Sequence, residues 1–182
     1  YLLLTLDSIK KKDYEKSILY LNKISNYKDQ GTFEQIIYET LRSYLFTFER
    51  KKISPYKSNF GNLDLINEAF VRCYLDDPKT TVYFENLLNS SSANYSRYLF
   101  FYVNYLVNKN KLTDAKNLLL EVDNLSNSLI ILQTKLWIDE NKTNNFKKIF
   151  SCKNETDILG EFFFLISNLY STQNDFEKSN FY

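Results

Sequence analysis

The chain has no histidine, so it cannot build a serine–histidine or cysteine–histidine nucleophile, and it offers no imidazole to a metal. With three glycines it also lacks a Gly-rich phosphate loop. What remains are carboxylates, amides and guanidinium groups, and most stand where helix ends would use them. Asp76-Asp77 and the pair Glu155 and Asp157 fall at expected helix starts. There, carboxylates cap free N–H groups and meet the positive end of the dipole. Lys10-Lys11-Lys12 and Arg50-Lys51-Lys52 fall at expected helix C-termini, where cations complement the negative end. Basic and acidic residues number 23 and 22, so no surplus of charge points to nucleic acid as a partner. One constellation is different. Arg97, Phe101 and Asn104 share a helical face, and a guanidinium, a ring and an amide together suit an extended peptide or its terminal carboxylate.

The elements that carry these residues are read as helices throughout. Only 3 Gly and 2 Pro occur in 182 residues, too few for the tight turns of a sheet protein. The helices are expected at Tyr1–Lys11, Asp13–Ser25, Thr32–Lys52, Leu63–Leu75, Lys79–Asn89, Asn94–Asn108, Leu112–Val122, Leu125–Asn141, Asn145–Phe150 and Glu155–Thr172, with a last one starting at Asp175. The segment Ile53–Asn62, with Pro55 and Gly61, is the clearest break. Runs such as Tyr98–Val103 and Phe162–Ile166 are apolar all round, which calls for neighbours on both sides. Cys73 continues the stripe Ile66, Phe70, Cys73 and reads as a buried, inert thiol; two unpatterned cysteines do not specify a disulfide. No run of 18 apolar residues is present, so no membrane span is expected. The abundance of Lys, Asn, Ile, Tyr and Phe fits an AT-rich genome rather than a ligand-stacking surface.

One local pattern recurs. Lys12-Asp13-Tyr14-Glu15-Lys16-Ser17 returns as Lys111–Lys116 and as Asn174–Ser179. With Ser17, Ala115 and Ser179 as equivalent points, the offsets are 115 − 17 = 98 and 179 − 115 = 64. These are three and two multiples of a period near 32–34 residues, the range of helical-hairpin repeats. The order Phe163, Ile166, Ser167, Tyr170 and Ser179 resembles the tetratricopeptide (TPR) pattern of large, apolar, small, aromatic and small residues. Tyr1, Leu4, Thr5 and Ser17 follow it too, as do Leu99, Tyr102, Leu106 and Ala115, with Val103 at a position where a small residue is expected. The resemblance is clearest at 1–25, 94–124 and 155–182, and section 32–89 departs from it as a degenerate or inserted part.

The resemblance implies a single all-α domain over 1–182, a right-handed solenoid of stacked antiparallel hairpins in which each repeat leans on the next. It also implies a non-catalytic scaffold that takes up a protein or peptide partner in a concave groove. Asn104 and Asn168 occupy one repeat position that faces this groove in the family, and Arg97, Phe101 and Asn108 complete the expected binding set. No cofactor is expected. Two other readings stay open: an architectural or substrate-guiding domain of a larger enzyme such as a cell-wall hydrolase, and a homo-oligomer built by repeat stacking. The compartment, cytoplasmic or periplasmic, is undetermined. The chain lacks Met and both ends cut through a repeat, which reads as a segment of a longer array.

Overall fold

The structure is a computed structural model and describes residues 1–26, 33–56, 60–90, 95–121 and 128–182. Among these residues every regular element is helical: α1 (Leu2–Lys10), α2 (Tyr14–Asn22), α3 (Phe33–Arg50), α4 (Asn62–Leu75), α5 (Thr80–Ser90), α6 (Tyr95–Asn108), α7 (Leu112–Leu120), α8 (Leu129–Asp139), α9 (Asn144–Ile149), α10 (Glu155–Thr172) and α11 (Phe176–Phe181). The all-α expectation holds for them. The expected starts at Thr32, Asn94 and Leu125 and the end at Val122 lie outside the described residues.

Five turns between helices share one geometry. Lys12, Asp76, Asn110, Asn141 and Asn174 have φ of 59°, 57°, 60°, 55° and 61°. In each turn the following N–H reaches back five residues: Asp13 to Ser8 at 2.9 Å, Asp77 to Arg72 at 2.9 Å, Lys111 to Leu106 at 2.9 Å, Lys142 to Trp137 at 2.7 Å and Asp175 to Tyr170 at 3.0 Å. This is the Schellman closure of a helix, which needs one left-handed residue. Glycine takes that conformation most easily, and Asn and Asp are the next best. In this glycine-poor chain Asn fills three of the five positions. Side chains then start the next helix: Asp13 accepts from Lys16 N at 3.2 Å and Asp175 from Lys178 N at 3.1 Å. The left-handed residues are spaced 76 − 12 = 64, 110 − 76 = 34, 141 − 110 = 31 and 174 − 141 = 33 apart. A turn missing from this beat, near position 44, would fall inside α3, which runs through it for 18 residues.

Packing follows from which faces are apolar. α3 buries Ile37, Leu41, Tyr44, Leu45 and Phe48, spaced as one face of a 3.6-residue helix. Each such fully buried side chain contributes about 2 kcal/mol by removal from water. The pairs α1–α2, α4–α5, α6–α7 and α10–α11 lie against each other, and α2–α3 and α5–α6 link one pair to the next. Small buried residues permit the close approach: Thr5, Ser17 and Ala115 are fully enclosed. In the last hairpin Ser167 Oγ donates to Ser179 O at 2.6 Å.

α10 departs from a stack in which repeats touch only their neighbours. It packs on α1 and α3. The Tyr44 and Phe162 rings meet edge to face at 6.1 Å, and Phe33 meets Tyr170 at 4.8 Å. The physical reason is its composition: α10 is apolar over most of its circumference and needs neighbours on more than one side, so only the strip running through Gly160, Phe164 and Asn168 stays exposed. The reading of Cys73 as an inert thiol is likewise corrected. Cys73 is paired with Cys152 in a disulfide, Cα–Cα 5.8 Å, because α10 brings the segment before it against α4. No described helix is long and apolar enough to cross a membrane.

Candidate functional site

Arg97 sits on the first turn of α6 and faces α10. Its Nε donates to Glu161 Oε1 at 2.6 Å, and its Nη2 donates to Glu161 Oε2. The two-pronged contact matches the flat guanidinium to the flat carboxylate. Glu161 is 4% exposed, and burial pushes its carboxyl above the usual range while the Arg97 charge pulls the other way. The guanidinium also lies 4.2 Å over the ring of Phe164 and 5.5 Å from that of Phe101.

Beside this ion pair is a cleft of about 220 Å³ between α6, α8 and α10, lined by Arg97, Phe101, Ile130, Ile149, Gly160 and Glu161. Gly160 belongs to its α10 wall, where a Cβ would meet nothing within 4 Å. Ile149 is 61% exposed at its rim. Arg97 Nη1 makes no hydrogen bond among the described residues, so one edge of the guanidinium is left for an outside acceptor.

Of the five residues expected from the sequence, Arg97 and Phe101 line this cleft, and the other three do not. Asn104 is corrected most sharply. It is 3% exposed, and its Nδ2 donates to the carbonyls of Phe150 at 2.8 Å and Phe146 at 3.3 Å. Those carbonyls lie at the C-terminal end of α9: Phe146 O also accepts from Phe150 N at 3.2 Å, and Phe150 O lies just past the last helical residue. Asn104 therefore ties α9 to α6. Asn108 is exposed, but its Nδ2 donates to Asn104 O at 2.9 Å and to Asn104 Oδ1. Asn168 is exposed on α10, one turn beyond Phe164.

Two features escaped the sequence reading. Glu161 was legible in principle: it interrupts the apolar stripe Ile158, Leu165 at helical spacing, and a buried acid needs a partner. The second is α8. It buries Ile131, Thr134 and Ile138, yet Leu129, Leu132 and Leu136 on another face are 83%, 47% and 48% exposed.

The acidic pairs behave differently from one another. Asp157 accepts from Ser151 N at 2.8 Å and Asp77 from Lys79 N at 2.7 Å, as helix-start groups do. Glu155 is not a cap. It is buried and accepts from Tyr14 Oη at 2.7 Å and Tyr74 Oη at 2.6 Å, with Lys51 Nζ at 3.6 Å. Among the described residues no group of three His, Cys, Asp or Glu is placed to hold a metal.

No known protein family, curated protein or solved structure matches this chain.

Proposed function

We propose that the chain is a TPR-like array of helical hairpins that binds a partner polypeptide, without catalysis of its own, along the face made by α6, α8 and α10. The hairpin beat of the left-handed turn residues supports the array. The observation that carries the binding role is the row Leu129, Leu132 and Leu136, exposed on a helix whose other face is fully packed. Apolar rows left in water on an otherwise well-packed helix mark interaction surfaces. Ile130 on the same helix reaches the cleft, where Arg97 and Phe101 add a guanidinium edge and a ring.

Arg97 grips Glu161 on both oxygens, which makes the acid a fixed wall of the cleft beneath the partly exposed guanidinium.

Selection of peptides from a random display library against the chain tests the reading. Enriched peptides are expected to be amphipathic and to lose about tenfold or more in affinity for a Leu132→Glu, Leu136→Glu variant of unchanged helicity. Peptides that bind the variant equally well would sink it. So would a concentration-dependent dimer in light scattering that this variant abolishes, since that outcome assigns the row to self-assembly.

A further inference from the structure

Two walls of the α6–α8–α10 cleft are joined by one short connector. Ile149 and Phe150 line the cleft from the end of α9, and Asp157, Gly160 and Glu161 line it from α10. Residues 151–154 run between them with no helix of their own. α9 has only six residues, too few for a helix to hold its place unaided. Its end is set by ties to other helices. The Phe150 ring meets Phe101 of α6 at 4.5 Å and Phe70 of α4 at 5.0 Å. Asn104 of α6 holds the Phe150 carbonyl at 2.8 Å. Cys73 follows Phe70 by one turn on α4 and is bonded to Cys152, so a covalent tie falls inside the connector itself. Lys153 also reaches the end of α4, with Nζ 2.8 Å from Tyr74 O and 2.6 Å from Asp76 Oδ2. Its side chain is exposed, and such pairs contribute little.

From this placement we infer that the Cys73–Cys152 bridge is a redox latch on the cleft: oxidised, it fixes the connector and the shape that receives a partner, and reduced, it releases both. The inference rests on the binding role proposed above. The part released is local. Glu155 keeps the start of α10 on Tyr14 and Tyr74 whatever the state of the bridge, and Arg97 keeps Glu161 on α6. The end of α9 is then left with ring contacts and the Asn104 amide, and segments with few ties open first. Ile149 and Phe150 move with it, and the cleft loses one of its walls. Cys73 is 2% exposed and Cys152 only partly buried, so a reductant approaches from the connector side. An external dithiol attacks the bridge, passes through a mixed disulfide and is itself oxidised to a disulfide. Its two electrons and two protons leave Cys73 and Cys152 as thiols.

The test compares the full chain oxidised and after reduction with dithiothreitol, which has no other cysteine to act on. Amide hydrogen exchange read by mass spectrometry needs no partner. Reduction is expected to speed exchange over 146–154 about tenfold or more and to leave α1–α3 within about threefold. A peptide selected against the oxidised chain should bind the reduced chain about tenfold more weakly, regain its affinity on reoxidation, and by linkage make the bridge about tenfold harder to reduce. The double variant Cys73→Ser, Cys152→Ser should behave as the reduced chain does, with helicity as its folding control. Unchanged exchange over 146–154 overturns the latch, as does equal peptide affinity in both states. A speed-up spread evenly over all helices overturns it too, because the bridge is then a brace of the whole fold. If the oxidised chain selects no peptide, the binding role itself falls, whatever the exchange rates show.

Discussion

Glu155 and Glu161 lie six residues apart on α10, both buried, and the chain satisfies them in opposite ways. Glu155 is held by two tyrosine hydroxyls, from Tyr14 and Tyr74, with Lys51 behind them. Three separate parts of the chain thus converge on it, one turn past the Cys73–Cys152 bridge. Glu161 depends on one residue, Arg97, and stands beside a cleft. Neutral donors spread the cost of burying a charge over several modest bonds, and each can be lost separately. A single guanidinium concentrates that cost in one partner, whose removal strands the acid. The first arrangement suits a junction that only has to hold. The second suits a wall of a binding face, because the Arg97 side chain stays 34% exposed and can meet a partner while fixed in place.

The sharpest way to break this contrast is Arg97→Met. It leaves Glu161 buried without a counter-charge and should cost about 3 kcal/mol of unfolding free energy in urea denaturation. Adding Glu161→Leu should return most of that loss. If Arg97→Met alone costs less than about 1 kcal/mol, the pair is a surface contact in energetic terms and the contrast fails.

Tyr74→Phe should cost less, about 2 kcal/mol: it removes the hydrogen bond to Glu155 and the one that Tyr74 Oη accepts from Lys51 Nζ, while Tyr14 still donates to Glu155 and the Lys51 charge stays nearby. The same denaturation curves check it. A loss as large as that of Arg97→Met would mean that Glu155 also hangs on one partner.

Much of this organisation could be read before any coordinates. The turns betray themselves locally, because a Lys or Asn in the left-handed position followed by a capping Asp needs only neighbours in sequence to act. For this reason α1, α2, α10 and α11 lie within a residue or two of where the Asp13 and Asp175 turns place them. The absence of glycine at these turns hid the beat at Asp76 and Asn141, which carry the same φ without the same motif. Long-range facts were illegible for the opposite reason. Asn104 finds its carbonyls 42 and 46 residues away, and Cys73 its partner 79 residues away. Only the return of α10 onto the first half of the chain creates the Cys73 pairing.

The gentlest probe is pH. Glu161 holds its proton more tightly in the folded chain than its ordinary 4.5, with burial the larger cause and Arg97 opposing. Between that ordinary value and the raised folded value, the folded state binds more protons than the unfolded one. Stability must then fall as pH rises through this window and level off above it, where the charge is buried at full cost. Glu161→Gln should remove this part of the slope and leave the rest of the pH profile unchanged. Arg97→Met should extend the declining stretch to higher pH, because the opposing charge is gone. If both variants keep the wild-type profile, the proton on Glu161 has no part in the fold, and pH does not set it apart from the other acids of α10.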